Sequence, residues 1–508
     1  MTSWLPAAPA RNPRSPCGMP GRRWAGWHDG DMAVFTHTAE APYSLDTVFS
    51  WHTRPGALTR LSPEWAQEVV EESHPPLTPG TRARMKTSVP GTRGVVRVPF
   101  VCEHAAGPEP FSFVDRMTTG PLHSWTHTHR FAEAQGTAAD PAASVIEDRI
   151  DYHLAPPSGR LSEGFDTLAM DAVLTNTFEA RTRRLLGDLA FQADLARRTG
   201  STPRRILIAG ASGLIGRQVA ALLSTGGHEV RRLVRATPWR EDEVRWNPGL
   251  GLLDARALAW ADVVVSLSGA SIGTRFTEPA KDRIMSSRID STRLLVLAME
   301  QLDPADRPDA FVCASAVGYY GSERGDVRLD EDAASGEGFL AEVCRRWEAE
   351  AARAADLGVR TVSIRTGVVL TSLGGPLRMQ LPLYLAGLGG RLGAGDQWLS
   401  WISLDDIAQV YARAALDDGL SGPINAVAPE PVQQQEFAQA LGDVLSVPSV
   451  IPVPPIAPAL LLGPQAAREL ALADQRVVPE ALARVDHPFR HPTLDDALRA
   501  TLWSPAGV

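Results

Sequence analysis

The sequence predicts two folded parts: an α+β domain on an antiparallel sheet, then an α/β domain on a doubly wound parallel sheet that carries a C-terminal extension. Three observations support this. Short alternating runs broken by Gly and Pro fill residues 33–155, a long helical pattern covers residues 165–196, and apolar strands alternate with helices from Arg205 onward. A chain of 508 residues is long enough for several cores.

Composition indicates a globular protein, with 44% hydrophobic and 21% charged residues. The net charge of -9 disfavours binding to phosphate backbones, so we expect no nucleic-acid partner. No apolar run reaches the ~18–20 residues that cross a bilayer, so we expect no membrane contact. Four dispersed cysteines form no CxxC pair, which fits a cytoplasmic location without structural zinc.

The first domain is predicted over residues 33–197. Residues 1–32, rich in Pro, Arg and Gly, are predicted to be a disordered extension, and Met32 is an alternative start to Met1. Period-two alternation predicts strands, and the apolar spacing after them predicts one long helix. The predicted strands are 34–38, 83–89, 95–102, 111–118, 125–131 and 145–154.

The runs WTHTHRF (125–131) and DRIDY (148–152) resemble the START-like, polyketide-cyclase type of domain. The resemblance implies a helix-grip fold, in which a curved sheet wraps a long helix around a pocket for a small hydrophobic or aromatic molecule. His127 and His129 share one strand face, and a metal would need a third ligand such as His123. We expect strand histidines that line the pocket or face solvent, and no metal.

The second domain, residues 203–430, opens on the glycine motif GASGLIG (210–216) between a strand and a helix. This context is that of a Rossmann dinucleotide site, where the first glycine permits the turn, the second admits the pyrophosphate and the third allows close packing. The helix N-terminus supplies unpaired N–H groups. The predicted cofactor contacts of this motif are Gly210, Ser212, Gly213, Leu214, Ile215 and Gly216.

The end of the next strand favours NADP(H) over NAD(H). An NAD site usually places an acid there for the ribose hydroxyls, whereas a 2'-phosphate calls for arginine. The chain offers Arg235, with Arg240 shortly after, and no acid at the strand end.

Residues 204 to about 500 resemble the extended short-chain dehydrogenase/reductases, in particular an atypical epimerase-like subgroup with a C-terminal extension. The resemblance implies that residues 431–508 pack over the substrate side, and that Ser268, Gly269, Ala270 and Arg288 contribute to the cofactor site. The runs that carry it are GASGLIG (210–216), SGASI (268–272), SRIDST (287–292), ASAVGYYG (314–321), IRTGVVL (364–370), WLSWISLDD (398–406), QRVVP (475–479) and FRHP (489–492).

The chain departs from the family's catalytic pattern. Ser315 fills the serine position, but Leu340 stands where the YxxxK tyrosine is expected, Cys344 where the lysine is, and Arg288 where an asparagine is. Without that tyrosine and lysine the usual proton donor is lost, which commonly costs 10²–10⁴-fold. The remaining candidates for chemistry are Ser315, Tyr320 and Arg288, each with a structural alternative: a strand end, a packed ring, or an ion pair with Asp290.

The sequence therefore predicts an NADP(H)-binding, oxidoreductase-like protein whose substrate is unassigned. Sugar-nucleotide epimerisation also needs a proton-exchanging group, so we consider it the poorer prediction. The alternative is a non-catalytic sensor that binds NADP(H) in one domain and a hydrophobic ligand in the other. No protein partner is predicted.

Overall fold

The structure is a computed structural model that describes residues 32–89, 92, 94–134, 143–154 and 163–502. The predicted disordered extension lies outside the described residues except for Met32. In the described part of the chain, no helix combines the length and the apolar character needed to span a bilayer.

The N-terminal domain is an antiparallel sheet of seven strands in the order β1-β7-β6-β5-β4-β3-β2. The predicted antiparallel sheet is confirmed, although β2 and two helices after β1 were not predicted. Its elements are β1 Ala33–Ala41, α1 Leu45–Thr53, α2 Ala57–Leu61, β2 Gln67–Glu71, β3 Arg82–Ser88, β4 Arg97–Ala106, β5 Ser112–Thr119, β6 Ser124–Glu133, β7 Ser144–His153 and α3 Glu163–Thr199.

One face of this sheet packs on α3. Along β7 burial alternates strictly, so that Ile146 and Ile150 face inward while Glu147 and Arg149 face out. The inward residues meet apolar side chains of α3, including Leu174 and Phe178. The period-two pattern in the sequence therefore arises because only one face of the sheet is buried.

The second domain contains an eight-stranded sheet in the order β11-β10-β9-β8-β12-β13-β15-β19, parallel except at the β10–β11 pair. This confirms the predicted doubly wound Rossmann sheet. The strands of this domain are β8 Arg205–Ala209, β9 Glu229–Val234, β10 Glu243–Asn247, β11 Leu252–Leu253, β12 Val263–Ser266, β13 Ala310–Ala316, β14 Glu323–Leu329, β15 Arg360–Thr366, β16 Val368–Leu370, β17 Trp398–Leu399, β18 Trp401–Ser403, β19 Gly422–Ala426 and β20 Val432–Gln433. Of these, β14, β16, β17, β18 and β20 lie outside the eight-stranded sheet, in two-stranded pairs.

Helices cover both faces of the parallel sheet, and its central strands β8, β12 and β13 are buried along nearly their whole length. The order reverses between β8 and β12, which creates the crevice where such folds bind ligands. The helices of this domain are α4 Leu214–Thr225, α5 Arg256–Ala259, α6 Glu278–Glu300, α7 Phe339–Ala352, α8 Gly375–Leu385, α9 Leu404–Leu416 and α10 Gln434–Leu445, with 3-10 turns at Pro248–Leu250, Pro304–Asp306, Val317–Tyr320 and Ala355–Leu357.

The C-terminal extension lies against the carboxyl edge of the parallel sheet. The Gln475 amide donates to the carbonyl of Val317, directly after β13, at 3.0 Å, and Glu469 accepts from the backbone N–H of Leu340 at the start of α7 at 2.8 Å. Its elements are α11 Ile456–Leu462, α12 Pro464–Ala466, a π-helical turn Ala467–Ala471, β21 Asp474–Val477, α13 Glu480–Arg484 and α14 Leu494–Leu502.

A buried ion cluster joins the two domains and the extension. Arg60 of α2 pairs with Asp188 of α3 at 2.7 Å and with Asp405 of α9 at 2.9 Å. Arg184 of α3 and Arg490 of the extension complete it. Burial would raise the pKa of Asp405, but the arginines around it hold that pKa well below its usual range. Both carboxylates are therefore ionised, and three guanidinium groups compensate them.

We predict that Arg60→Met lowers the apparent free energy of unfolding by about 3–5 kcal/mol, because it removes the fully buried guanidinium that bonds both Asp188 and Asp405 and leaves those carboxylate oxygens without that partner. Urea denaturation followed by circular dichroism measures the loss. Arg82→Met, which breaks the exposed pair between Arg82 and Glu103 in the same domain, is the control and should cost ~0–1 kcal/mol. Equal losses in the two variants would contradict a structural role for the cluster.

Candidate functional site

The glycine turn after β8 has the backbone geometry of a dinucleotide site. Gly210 has a φ of +85°, a left-handed conformation that favours glycine, and a Cβ there would lie 2.7 Å from the backbone of Leu267. A Cβ on Gly216 would lie 2.2 Å from the carbonyl oxygen of Gly210. The turn and the first turn of α4 are therefore pressed together, as the sequence motif predicts.

The N-terminus of α4 is open to a phosphate. Gly213 is its N-cap, and no side chain accepts a hydrogen bond from the first turn. Ser212 and Gly213 are exposed, while Leu214 and Ile215 are half-buried. Unpaired N–H groups and the positive end of the helix dipole thus face the crevice, and these residues fit the pyrophosphate of a dinucleotide.

Arginines lie at the end of β9, where the adenosine ribose of a dinucleotide is expected. Arg235 follows the last residue of β9 and is exposed; among the described residues it has no ion-pair partner. Arg240 stacks on the Trp239 ring at 4.3 Å and donates to the carbonyl of Glu72 at 3.3 Å. Arg235 is therefore the cation available to a 2'-phosphate.

The loop after β12, residues 268–270, is tied to α6. Ser287 accepts from the N–H of Ala270 at 2.9 Å, and Arg288 donates to the carbonyl of Ala270 at 3.1 Å. A Cβ on Gly269 would lie 3.0 Å from Cζ of Arg288, so the guanidinium lies close along the loop at this residue. The predicted residues Ser268, Gly269, Ala270 and Arg288 therefore come together.

Arg288 is a half-buried cation whose hydrogen bonds are to carbonyl groups. It lies 5.1 Å above the Trp347 ring and also donates to the carbonyl of Ile284. In the described chain no carboxylate comes within ion-pair distance of it, and Asp290 pairs with Arg293 instead. Burial lowers the pKa of Arg288, which reflects the cost of a cation without an acidic partner.

Ser315 lies in β13 beside a buried ion pair that the sequence analysis missed. Its hydroxyl donates to Glu348 at 2.6 Å, and Glu348 accepts two hydrogen bonds from Arg365, at 3.0 and 2.9 Å. The register of β13 and β15 places Ser315 directly opposite Arg365. Cross-strand pairing was the missing information, since both residues stand in runs that the sequence analysis quoted.

Tyr320 is held in place by contacts inside the protein. It is fully buried, its hydroxyl donates to the carbonyl of Asp330 and contacts Asn425, and it accepts from Arg365. Burial raises the pKa of Tyr320 to about 12. These contacts favour a packing role for Tyr320 over the predicted chemical one.

The residues that stand where the YxxxK tyrosine and lysine are expected are chemically inert. Leu340 and Cys344 are buried on α7, and both lie near Gly318. Burial raises the pKa of Cys344 to about 11, so its thiol stays protonated at neutral pH. Cys344 is therefore a small buried side chain.

The N-terminal domain encloses a second candidate site, a cavity of about 400 Å³ between the sheet and α3. Its walls are mainly apolar, with Trp65, Phe100, Trp125 and Phe178 among them, and Leu502 of the extension also lines it. Cavities of this size and lining bind small organic molecules.

One wall of the cavity carries a row of polar side chains across four adjacent strands. His104 of β4 lies opposite Asp115 of β5, which lies opposite His127 of β6, while His129 lies opposite Asp148 of β7. All five line the cavity or pack directly behind its lining. His123, the third ligand considered from sequence, is exposed in the turn before β6 and contacts His153 instead.

The charges of this row are set by mutual contacts. Burial would raise the pKa of Asp148, but hydrogen bonds with His127 and His129 hold it well below its usual range. Burial lowers the pKa of His127 to about 4, and the neighbouring His129 adds to this. The carboxylate is therefore ionised and the His127 imidazole neutral at pH 7.

Comparison with known proteins identifies the family to which the chain belongs. Residues 206–426 match the NAD dependent epimerase/dehydratase family, and residues 453–501 match a domain of unknown function, DUF1731. The chain is 41% identical over 294 residues to an epimerase family protein of Mycobacterium bovis, a match that covers 58% of this chain and 96% of that protein. The chain belongs to the epimerase family. The human epimerase family protein SDR39U1 is 33% identical over 300 residues, 58% of this chain and 98% of the human protein.

Two crystal structures resemble this epimerase-family protein. The human SDR39U1 (isoform 2) structure with NADPH has a TM-score of 0.53 at 31% identity, covering 59% of this chain and 99% of that one. The nucleoside-diphosphate sugar epimerase of Corynebacterium glutamicum has a TM-score of 0.73 at 32% identity, covering 92% of this chain and 90% of that one. Because 92% is covered, that match includes the N-terminal antiparallel domain.

Proposed function

We propose that this epimerase-family protein is an NADP(H)-dependent oxidoreductase that reduces electron-poor acceptors such as quinones or enones. The observation that carries the proposal is the Arg288 guanidinium, which lies along the loop at Gly269 without an acidic partner among the described residues. When bound, NADPH supplies a hydride. Support for NADPH comes from Arg235 at the end of β9 and from the human relative crystallised with NADPH.

Arg288 has the charge that the vacant YxxxK lysine would otherwise contribute. It packs against Trp347, which lies on the same helix as Cys344, the residue at the lysine position. A cation held in a partly buried crevice stabilises negative charge that develops on a substrate oxygen. We assign Arg288 this role together with contact to the cofactor.

Ser315 positions the substrate rather than protonating it. Its hydroxyl proton is directed to Glu348, so that it presents a lone pair to the crevice, and Arg365 holds the Glu348 carboxylate in place. A plain ketone needs a proton donor at the carbonyl as the hydride arrives. Quinones and enones instead delocalise the charge, and a fixed cation is sufficient for them.

The N-terminal domain supports a second part of the proposal. Its antiparallel sheet, the helix α3 and the cavity of about 400 Å³ agree with a START-like, helix-grip domain that binds a small hydrophobic or aromatic molecule. This ligand is proposed to be a substrate or product related to the same reaction.

We predict that Arg235→Ala weakens NADPH binding about 10- to 100-fold and leaves NADH binding within about threefold, since one charge-assisted contact to the 2'-phosphate contributes ~1.5–3 kcal/mol. Fluorescence titration of both cofactors measures the two dissociation constants. Arg256→Ala, which removes an exposed arginine paired with Asp254, is the control. A preference for NADH in the wild-type protein would overturn the assignment.

Hydride transfer is tested by single turnover. Enzyme with bound NADPH is mixed with a panel of quinones, enones and aldehydes, and the absorbance of the reduced nicotinamide is followed. Arg288→Met should slow the step about 10²- to 10³-fold at saturating NADPH, with partial rescue by Arg288→Lys. Arg283→Met, an exposed arginine of the same helix, should have no effect. Tight NADPH binding with no transfer to any acceptor would support the sensor instead.

The cavity ligand is tested by native mass spectrometry of the full-length protein. We expect the protein to retain a co-purified or added apolar compound of one aromatic ring system. The substitution Leu174→Trp fills the cavity and should abolish this retention. Leu297→Trp, an exposed position on α6, is the control. Equal retention by Leu174→Trp would place the ligand elsewhere.

A further inference from the structure

The polar row in the N-terminal cavity brings three potential metal ligands together. One donor atom each from Asp115, His127 and His129 lie within 4.8 Å of one another. All three side chains project from the same sheet face, on the neighbouring strands β5 and β6. Two imidazoles and one carboxylate are a common set for divalent first-row metals such as Zn²⁺ and Fe²⁺.

Asp148 fixes which imidazole nitrogens carry protons. Its Oδ1 accepts from His127 Nε2 at 2.9 Å and lies 2.8 Å from His129 Nδ1. A carboxylate that accepts both N–H groups leaves the lone pairs on His127 Nδ1 and His129 Nε2. This is the outer-sphere arrangement that orients metal-binding histidines in proteins.

The space between His129 and Asp115 has the dimensions of a metal site. His129 Nε2 faces Asp115 Oδ2 at 3.4 Å. That separation is long for a charge-assisted hydrogen bond, which is ~2.7–2.9 Å. It agrees with the ~3.4 Å between two ligand atoms that each bind a tetrahedral metal at ~2.1 Å. His104 contacts the other oxygen of Asp115 and holds this carboxylate in place.

The charges on the cavity wall also support a metal site. Two carboxylates, Asp115 and Asp148, are opposed by the single guanidinium of Arg181, which lies over the Phe178 ring. These three groups together carry one net negative charge. A divalent cation compensates this charge and leaves coordination positions open to the cavity.

We propose that Asp115, His127 and His129 bind a divalent first-row transition metal at the wall of the N-terminal cavity, with Asp148 as the residue that positions both histidines. The open coordination positions take an oxygen donor of the apolar molecule that occupies the cavity. The metal site is independent of NADPH binding in the other domain, and it revises the expectation from sequence that the protein binds no metal.

The test uses the full-length protein, stripped with EDTA and titrated with Co²⁺ under visible absorption spectroscopy. We expect one Co²⁺ per chain, ligand-field bands, and displacement by Zn²⁺. His127→Gln, His129→Gln and the near-isosteric Asp115→Asn should each remove the bands. His123→Gln, an exposed histidine of the same domain, is the matched control and should retain them.

Two further measurements separate the site from its alternatives. Asp148→Asn should keep the stoichiometry and weaken Co²⁺ binding about 10- to 100-fold, as expected of a positioning residue. Benzohydroxamate, an aromatic oxygen chelator, should shift the bands of the wild-type protein. Circular dichroism of every variant checks that it is folded. NADPH titration of the wild-type protein tests the cofactor site separately, and its failure would count against the proposed oxidoreductase and not against the metal. Absence of saturable Co²⁺ binding, or binding unchanged in the His127 and His129 variants, would overturn the proposal.

Discussion

The buried cluster around Asp405 is the interaction on which the arrangement of the molecule depends. Asp405 begins α9, which packs on the parallel sheet, and it meets Arg60 and Arg184 of the first domain and Arg490 of the extension. Removing charges from water is costly, and the cost is offset only when every partner is in place. Four segments distant in sequence, namely α2, α3, α9 and the extension, are thus held at one point, and misplacing any one leaves buried charged groups without their partners.

The site chemistry follows from what replaces the missing tyrosine and lysine. Burial keeps the Cys344 thiol protonated, and Tyr320 is fixed by Asp330, Asn425 and Arg365, so neither supplies an ionisable group to the crevice. Arg288 is the cation that remains available there. In the proposed function, a fixed positive charge without a proton donor favours reactions in which the product anion is already stable, and this restricts the acceptors more strongly than the family name does.

Sequence periodicity was sufficient to predict the sheets, but it was not sufficient to predict the side-chain contacts between strands. The glycine run at 210–216 and the apolar strands have local signatures, and the structure has both as predicted. The helices α1 and α2 are short, and β2 has a polar sequence with no clear alternation, so their patterns are weak. The pair between Ser315 and Glu348 depends on how a helix packs on the sheet. The pair between His129 and Asp148 depends on the register of two neighbouring strands. His123 was considered as a ligand because it is near in sequence, whereas Asp115 is near in space.

Glu72 connects the cavity to the nucleotide crevice. Its side chain lines the cavity region, and its carboxylate accepts from the N–H groups of Gly56 and Thr59, both at 2.7 Å, which stabilises the start of α2. Its carbonyl accepts from Arg240 on the other side. Because α2 also carries Arg60, a displacement of Glu72 would disturb the ion cluster and the arginines after β9 together. The contacts are short, charged and partly buried, so they hold the two sites in a fixed relation, and a ligand that moved this segment would have to compensate for all of them.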